Sequence, residues 1–172
     1  ISGEASSGFT MEGYPHRAIF SMPFQGLTDK GIPTYLNEKG NLTSTDLNFQ
    51  NRTDNSYLIY EGPTEPTVTG SLGNELKWKN WRLNIFVTYS FGSYVRLDPV
   101  FSARYNDLTS MTKEFKNRWM QAGYEKITSV PGILPYRMYR DDSSLRIAYN
   151  AYNYTSNRTA KGDFIRMKEI SL

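Results

Sequence analysis

From residue 68 onward the chain alternates. Val68, Gly70, Leu72, Asn74, Leu76 and Trp78 share one parity, while Thr67, Thr69, Ser71, Glu75 and Lys77 share the other. Beyond Lys79 and Asn80, the side chains of Trp81, Leu83, Ile85, Val87, Tyr89 and Phe91 fall on one side of an extended chain. Arg82, Asn84, Thr88 and Ser90 fall on the opposite side, with Phe86 as the apolar exception among them. Successive side chains of a strand point to opposite faces, so both stretches read as ribbons with one apolar and one wet side. A connection as short as "WKNW" forces an antiparallel hairpin of Val68 to Trp78 with Trp81 to Phe91, turning through Lys79 and Asn80. The apolar side would meet a second sheet in a water-soluble sandwich, or lipid in an outer-membrane barrel. Trp78 and Trp81 stand beside the turn, and Tyr89 and Phe91 at the far end. Barrel strands run about 9 to 11 residues and collect rings where lipid meets water, but a sandwich shows the same alternation, so both readings stay open.

Elsewhere the pattern is more broken. Residues 1–67 are punctuated by "EGYP", "FQGLTDKGIP", "NEKGN" and "EGPTEP", a density of Gly and Pro that excludes a long helix. Short strands are predicted at 18–24, 33–36 and 57–61. The 37–41 stretch lacks the acidic ladder of a calcium loop and predicts a reverse turn with Gly40 at positive φ. After Gly92, Leu108, Met111, Phe115 and Trp119 recur at helical spacing, with Asp107 or Thr109 to cap the start and Gly123 to close the end. One amphipathic helix within 107–123 is therefore predicted, its stripe packed on its own loop. "SVPGILPYRMYRDDSS" reads as turns, with Asp141 and Asp142 as solvated loop charges. "LRIAYNAYNYT" and "GDFIRMKEISL" read as two more strands; in the second, neither parity is purely apolar. That pattern runs to the last residue, which suggests a truncated strand, and "ISGEASSGF" looks like the middle of something longer. The expected fold is all-β with one helix in a long loop.

Composition narrows the function classes. The chain has 172 residues, in the range of one domain, and rings supply a large share of its apolar content, with aromatics at 15% against 38% in all. No run approaches the eighteen or so apolar residues of a spanning helix, and no signal-peptide pattern is visible. A net charge of +3, with Lys and Arg scattered, gives no nucleic-acid footprint. Without cysteine there is no disulfide frame and no thiolate metal site. The Asn-X-Ser/Thr sites at Asn41, Asn51, Asn153 and Asn157 read as incidental. His16, the sole histidine, sits in a Pro-containing turn, so no catalytic residue, metal or cofactor is expected and the chain does not read as an enzyme.

Four strings in register resemble one family, the SusC/RagA-like TonB-dependent transporters of the outer membrane of Bacteroidetes. "EGYPHRAIFSMPFQGLTDKGIPTYLNEKGN" is similar to the family's Gly-Tyr-Pro, aromatic, Gly-Leu, Gly-X-Pro and Asp/Glu-X-Gly-Asn series. "GPTEPTVTGSLGNELKWKNWRLNIFVTYSFG" resembles its Pro-X-X-X-Gly hairpin with a Tyr-X-X-Gly strand. "NRWMQAGYEKITSVP" is similar to its Arg-Trp, Gly, Thr, Pro loop, and "NRTAKGDFIRMKEISL" to its Asp-Phe-Ile-Arg-Leu-Lys-X-Ile-Ser-Leu strand. The departures are Met167 in place of Leu, and Ala122-Gly123 in place of Pro-Gly.

The resemblance implies a β-barrel of about 22 strands plugged by an N-terminal domain. Residues 1–172 would be part of that barrel, without the plug, the TonB box or the last strands, and 92–144 would be an extracellular loop region carrying the helix. It implies import of large nutrients, oligosaccharides or peptides, across the bacterial outer membrane. TonB would engage through the missing N-terminal part, and a SusD-like surface lipoprotein would act as lid. Leu72, Leu76, Leu83, Ile85 and Val87 would then face lipid. Trp78, Trp81, Tyr89 and Phe91 would mark the membrane interfaces, and Arg82, Asn84, Thr88 and Ser90 would face the lumen. The alternative is a soluble β-rich module that binds glycan or protein through its aromatics.

Overall fold

The structure, a computed structural model, describes residues 10–47, 56–101 and 110–172. Five short strands come first: β1 (Ala18–Ser21), β2 (Phe24–Leu27), β3 (Pro33–Leu36), β4 (Leu42–Thr43) and β5 (Ile59–Pro63). Two long ones follow, β6 (Val68–Trp78) and β7 (Trp81–Phe91), then β8 (Tyr94–Arg96). Two helices, α1 (Tyr136–Asp141) and α2 (Ser143–Tyr152), precede β9 (Thr159–Lys161) and β10 (Phe164–Ser171). The sheets are β1-β5, β2-β3-β4, β8-β9 and β10-β7-β6, and every pairing between these strands is antiparallel. The protein is thus mostly antiparallel β-sheet with few helices, and no closed barrel forms among the described residues.

The predicted hairpin is present. β6 and β7 pair without a break from Val68 with Phe91 to Trp78 with Trp81, and the turn is made by Lys79 and Asn80. Lys79 takes φ 55°, a left-handed value more usual for glycine, because a two-residue hairpin turn must match the twist of its strands. The turn at 37–41 also forms: the Asn37 side-chain oxygen accepts from the amides of Lys39 and Asn41, and Gly40 has φ 73°. The predicted strand at 18–24 splits at Met22 and Pro23 into β1 and β2, and those at 33–36 and 57–61 match β3 and β5 closely.

β7 with β8, and β10 with β9, form one bent ribbon. At the bend Gly92 donates its N–H to the Asp163 carboxylate at 2.6 Å, and Gly162 donates to the Ser93 carbonyl at 2.8 Å. The described residues between β8 and β9 form an excursion that leaves this ribbon at one end, opposite the Lys79–Asn80 turn.

Several expectations fail inside that excursion. The segment read as the strand "LRIAYNAYNYT" is α2. Asp142 caps it, its carboxylate accepting from the amides of Ser144 and Leu145 at 2.9 and 3.1 Å, and Leu145, Ala148, Tyr149 and Tyr152 form a buried stripe. Asp142 is therefore a helix cap rather than a loop charge, while Asp141 pairs with Arg140 on the surface. The turns read at "LPYRMYRD" are instead the short helix α1.

The helix expected within 107–123 is absent from its described part. Only a five-residue 3-10 turn, Lys113–Asn117, forms there, bounded by Thr112 and Arg118, both extended at ψ near 150°. Asp107, Leu108 and Thr109 lie outside the described residues. The physical reason is that Phe115 and Trp119 serve different neighbours. Phe115 packs on the cluster of Val100, Val130 and Tyr152. The Trp119 ring fills a slot between two glycines, where a Cβ on Gly31 would come within 2.5 Å of it and one on Gly132 within 3.0 Å. Gly123, at φ 97°, opens a second 3-10 turn at Tyr124–Lys126 instead of closing a helix.

The interior lies between α2 and the short strands. Met22, Tyr35, Leu47, Ala148 and Ala151 form one cluster, and Phe101, Leu134, Leu145 and Tyr149 another. Tyr35 is fully buried and donates its hydroxyl to the Ala148 carbonyl at 2.6 Å, which ties β3 to α2. Burial pushes its pKa up, with Tyr152 and Tyr149 adding to the effect. Asn153 joins the two ends of the excursion: its oxygen accepts from the amides of Val100 and Phe101, and its amide donates to the Phe101 carbonyl. A side chain so engaged is a structural joint rather than a glycan acceptor.

Candidate functional site

Cross-strand partners in an antiparallel pair share a face, so the register sorts the candidate residues directly. Leu72, Leu76 and Trp78 of β6 lie opposite Val87, Leu83 and Trp81 of β7, and Ile85 lies opposite Asn74. With Tyr89 opposite Gly70 and Phe91 opposite Val68, every predicted apolar and interface residue is on one face. Arg82, Asn84, Thr88 and Ser90 are together on the other, with Phe86 among them.

β10 extends both faces in a way its sequence concealed. Ile165 pairs with Tyr89 and Met167 with Val87, which puts both on the apolar face. The register then slips, so that Glu169 pairs with Phe86 and Ile170 with Ile85. Lys168 is the extra residue of a bulge. Without the slip Ile170 would share a face with Arg166; with it, Ile165, Met167 and Ile170 join one apolar surface. Simple alternation could not reveal this, because a bulge inverts parity midway along a strand.

This surface is uncovered. Leu72, Trp78, Ile165 and Ile170 are each more than 60% exposed. The opposite face is polar: Glu75 meets Lys77 and Arg82 at 3.2 and 3.0 Å, and the Asn84 amide donates to the Glu169 carboxylate at 3.1 Å. Exposed pairs of this kind contribute about 0 to 1 kcal/mol each and serve mainly to keep the face hydrated. Each face also has a ring over a partner glycine, Tyr89 across Gly70 and Phe86 across Gly73. Phe86 is thereby explained as the cover of Gly73 on the polar side, in the manner of rings that shield strand glycines. Tyr89 and Phe91 stack at 5.5 Å, forming a ring band at the end nearer the excursion.

Among the described residues, both outer strands of this sheet, β6 and β10, have a free edge. Three strands exposed on both faces, with unpaired backbone along two edges, bury too little to stand alone in water.

The junction above the sheet is polar and tightly tied. Arg96 on β8 donates to the Phe20 carbonyl, the Ser21 hydroxyl and the Thr155 carbonyl at 2.8 to 3.0 Å, which links β1 to the end of α2. Burial lowers its pKa to about 10, opposed by the charge of Glu61. Among the described residues, no three His, Cys, Asp or Glu side chains gather as a metal site, and no helix is long and apolar enough to cross a membrane, which says nothing of strands. No protein-family model matches the chain, and no relative is found among curated proteins.

Proposed function

We propose that this chain is part of a TonB-dependent outer-membrane transporter of the SusC/RagA type, importing large nutrients such as oligosaccharides or peptides. The observation that carries the reading is the three-stranded sheet with one continuous apolar face, one hydrated face and two free edges. Such a sheet is incomplete in water and complete as one wall of a large barrel, with neighbouring strands on β6 and β10 and lipid on the apolar face. Leu72, Leu76, Leu83, Ile85 and Val87 then contact lipid, and Arg82, Asn84, Thr88 and Ser90 the lumen. Trp78 and Trp81 sit at the interface beside the short turn, and Tyr89 and Phe91 at the other. Outer-membrane barrels have short periplasmic turns and long extracellular loops, so the Lys79–Asn80 turn faces the periplasm and the 97–158 excursion the outside. A SusD-like lipoprotein would cover that outer side, and TonB would act through a plug. The work required is binding and gating, with no bond broken.

The test is a pair of substitutions in the whole transporter. Ile85→Arg puts a charge on the apolar face near mid-strand, at a cost of roughly 2 to 4 kcal/mol against lipid. Asn84→Arg puts the same charge on the hydrated face. Heat-modifiable barrel in outer-membrane fractions should fall sharply for the first and hold for the second. Equal assembly of both, or a protein that purifies as a stable monomer without detergent, would return the chain to the class of soluble β-rich glycan- or protein-binding modules.

A further inference from the structure

A cleft of about 610 Å³ opens beside the 3-10 turn Lys113–Asn117 and is walled on its other side by Tyr152 and Arg158. Its lining is unbalanced in charge: Lys116, Arg118 and Arg158 stand against a single carboxylate, Glu114. That carboxylate is already taken, since Glu114 pairs with Arg158, whose guanidinium also donates to the Asp98 carbonyl. Arg158 is only 3% exposed and forms a fixed wall. The two remaining cations are differently placed. Arg118 lies over the Phe115 ring at 4.8 Å, and among the described residues its guanidinium makes only a long 3.4 Å hydrogen bond, to the Phe115 carbonyl. Lys116 is exposed and, among the described residues, makes no ion pair.

The turn that carries these cations is rigidly mounted. Phe115 anchors it to the Val100, Val130 and Tyr152 cluster, and the Thr128 hydroxyl closes the next loop onto the Asn117 carbonyl at 2.5 Å. Trp119 follows in its glycine slot, its ring N–H donating to Glu125 at 3.3 Å. Two cations on a fixed turn, next to a neutralised ion pair, make a site for an anion with room for more than an isolated ion. Asn157 adds a side-chain amide that both donates and accepts, and Tyr124 a phenol. Those neutral groups suit a ligand whose uncharged part is hydroxylated.

We propose that this cleft binds an acidic oligosaccharide, a sugar chain bearing carboxylates, with Lys116 and Arg118 on the carboxylates and Asn157 and Tyr124 on the hydroxyls. The site stands apart from the membrane reading, because it uses only the 113–130 and 152–158 segments and would operate equally in a soluble module.

The experiment is calorimetric titration of the whole protein, solubilised as its isolation requires, with trigalacturonate, neutral maltotriose and triglutamate. Trigalacturonate should bind, weaken as ionic strength rises, and exceed both other probes by about tenfold or more. Lys116→Gln and Arg118→Gln should each weaken it about tenfold, as expected for loss of one charge-assisted hydrogen bond. Lys116 is exposed, so its variant should fold even if Arg118→Gln disturbs the turn, and unchanged binding in Lys116→Gln overturns the assignment of that residue. Maltotriose binding as tightly as trigalacturonate, or no heat from trigalacturonate at millimolar concentration, overturns the proposal. Triglutamate binding best would replace the sugar with an acidic peptide.

Discussion

Ile19 and Ile165 are the same residue in strands of the same chain, yet Ile19 is fully enclosed and Ile165 is 69% exposed. Ile19 belongs to β1, where α2, β8 and the short strands close over one another. Ile165 belongs to β10, in a sheet whose residues are, among those described, mostly exposed or half-exposed on both faces. The contrast teaches that alternation specifies a two-faced strand without specifying what covers it. In the enclosed region the chain supplies its own cover, and stability follows from burial of its side chains. In the open sheet it supplies only the register, and any cover for the apolar face must come from elsewhere.

The largest test of that difference is truncation in each region. Tyr152 is 1% exposed and joins α2 to Val100, Val130 and Phe24, so Tyr152→Ala should cost about 3 to 5 kcal/mol. Leu76 is 56% exposed, and Leu76→Ala should shift the same measurement by less than about 0.5 kcal/mol. Urea unfolding followed by aromatic emission gives both values. Similar losses for the two would mean that the sheet is packed against this same chain.

The bulge offers the next largest effect. Deleting Lys168 removes the extra residue and leaves Met167 opposite Val87, Glu169 opposite Phe86 and Ile170 opposite Ile85, so all faces are kept. Deleting Met167 instead brings Lys168 opposite Val87, on the apolar side. If that side meets lipid, the second deletion should cost roughly 2 to 4 kcal/mol more than the first and reduce folded barrel in membrane fractions. Equal yields would break the link between register and environment.

The same contrast explains what was legible in the sequence. The hairpin was readable to the residue because β6 and β7 alternate with few exceptions and a two-residue turn fixes their register. α2 was missed although Leu145, Ala148, Tyr149 and Tyr152 stand at i, i+3, i+4 and i+7 behind Asp142, an N-cap. The β-favouring Tyr and Ile residues outweighed a spacing that was visible. The false helix at 107–123 had the converse fault: Met111, Phe115 and Trp119 have helical spacing, but their partners are long-range. The Gly31–Gly132 slot that holds Trp119 joins residues about 100 positions apart, and no local pattern reports it. The cleft beside Lys116 depends on that same long-range mounting, so its cations looked scattered along the chain. On β10 the bulge at Lys168 hid the apolar face.

A glycine pair refines the account of the enclosed region. Gly31 and Gly40 have nearly the same φ, 72° and 73°, but a Cβ on Gly31 meets the Trp119 ring while one on Gly40 meets nothing within 4 Å. Gly40→Ala should cost only the backbone strain, about 1 to 2 kcal/mol. Gly31→Ala should add an overpacking cost of about 1 to 3 kcal/mol and alter Trp119 emission. Equal costs, with unchanged emission, would show that Trp119 does not occupy the slot.

The smallest effect concerns the far side of that same tryptophan. Glu125 is held below its ordinary value of 4.5, chiefly by its own backbone N–H, with further bonds from the Trp119 ring and the Gly123 amide. A carboxylate with a depressed folded pKa contributes stability that is present above its unfolded value and is lost as pH falls through the folded one. The loop at 119–126 should therefore hold at neutral pH and loosen only below about 4.5, in the window between the two values. The group is half-exposed at the surface, so the loss should be local, a change in Trp119 emission without unfolding of α2. Glu125→Gln, which cannot ionise, should abolish that pH-dependent step while leaving the neutral-pH structure nearly intact. A step that survives in Glu125→Gln would assign it to another carboxylate and remove Glu125 from the supports of the Trp119 mount.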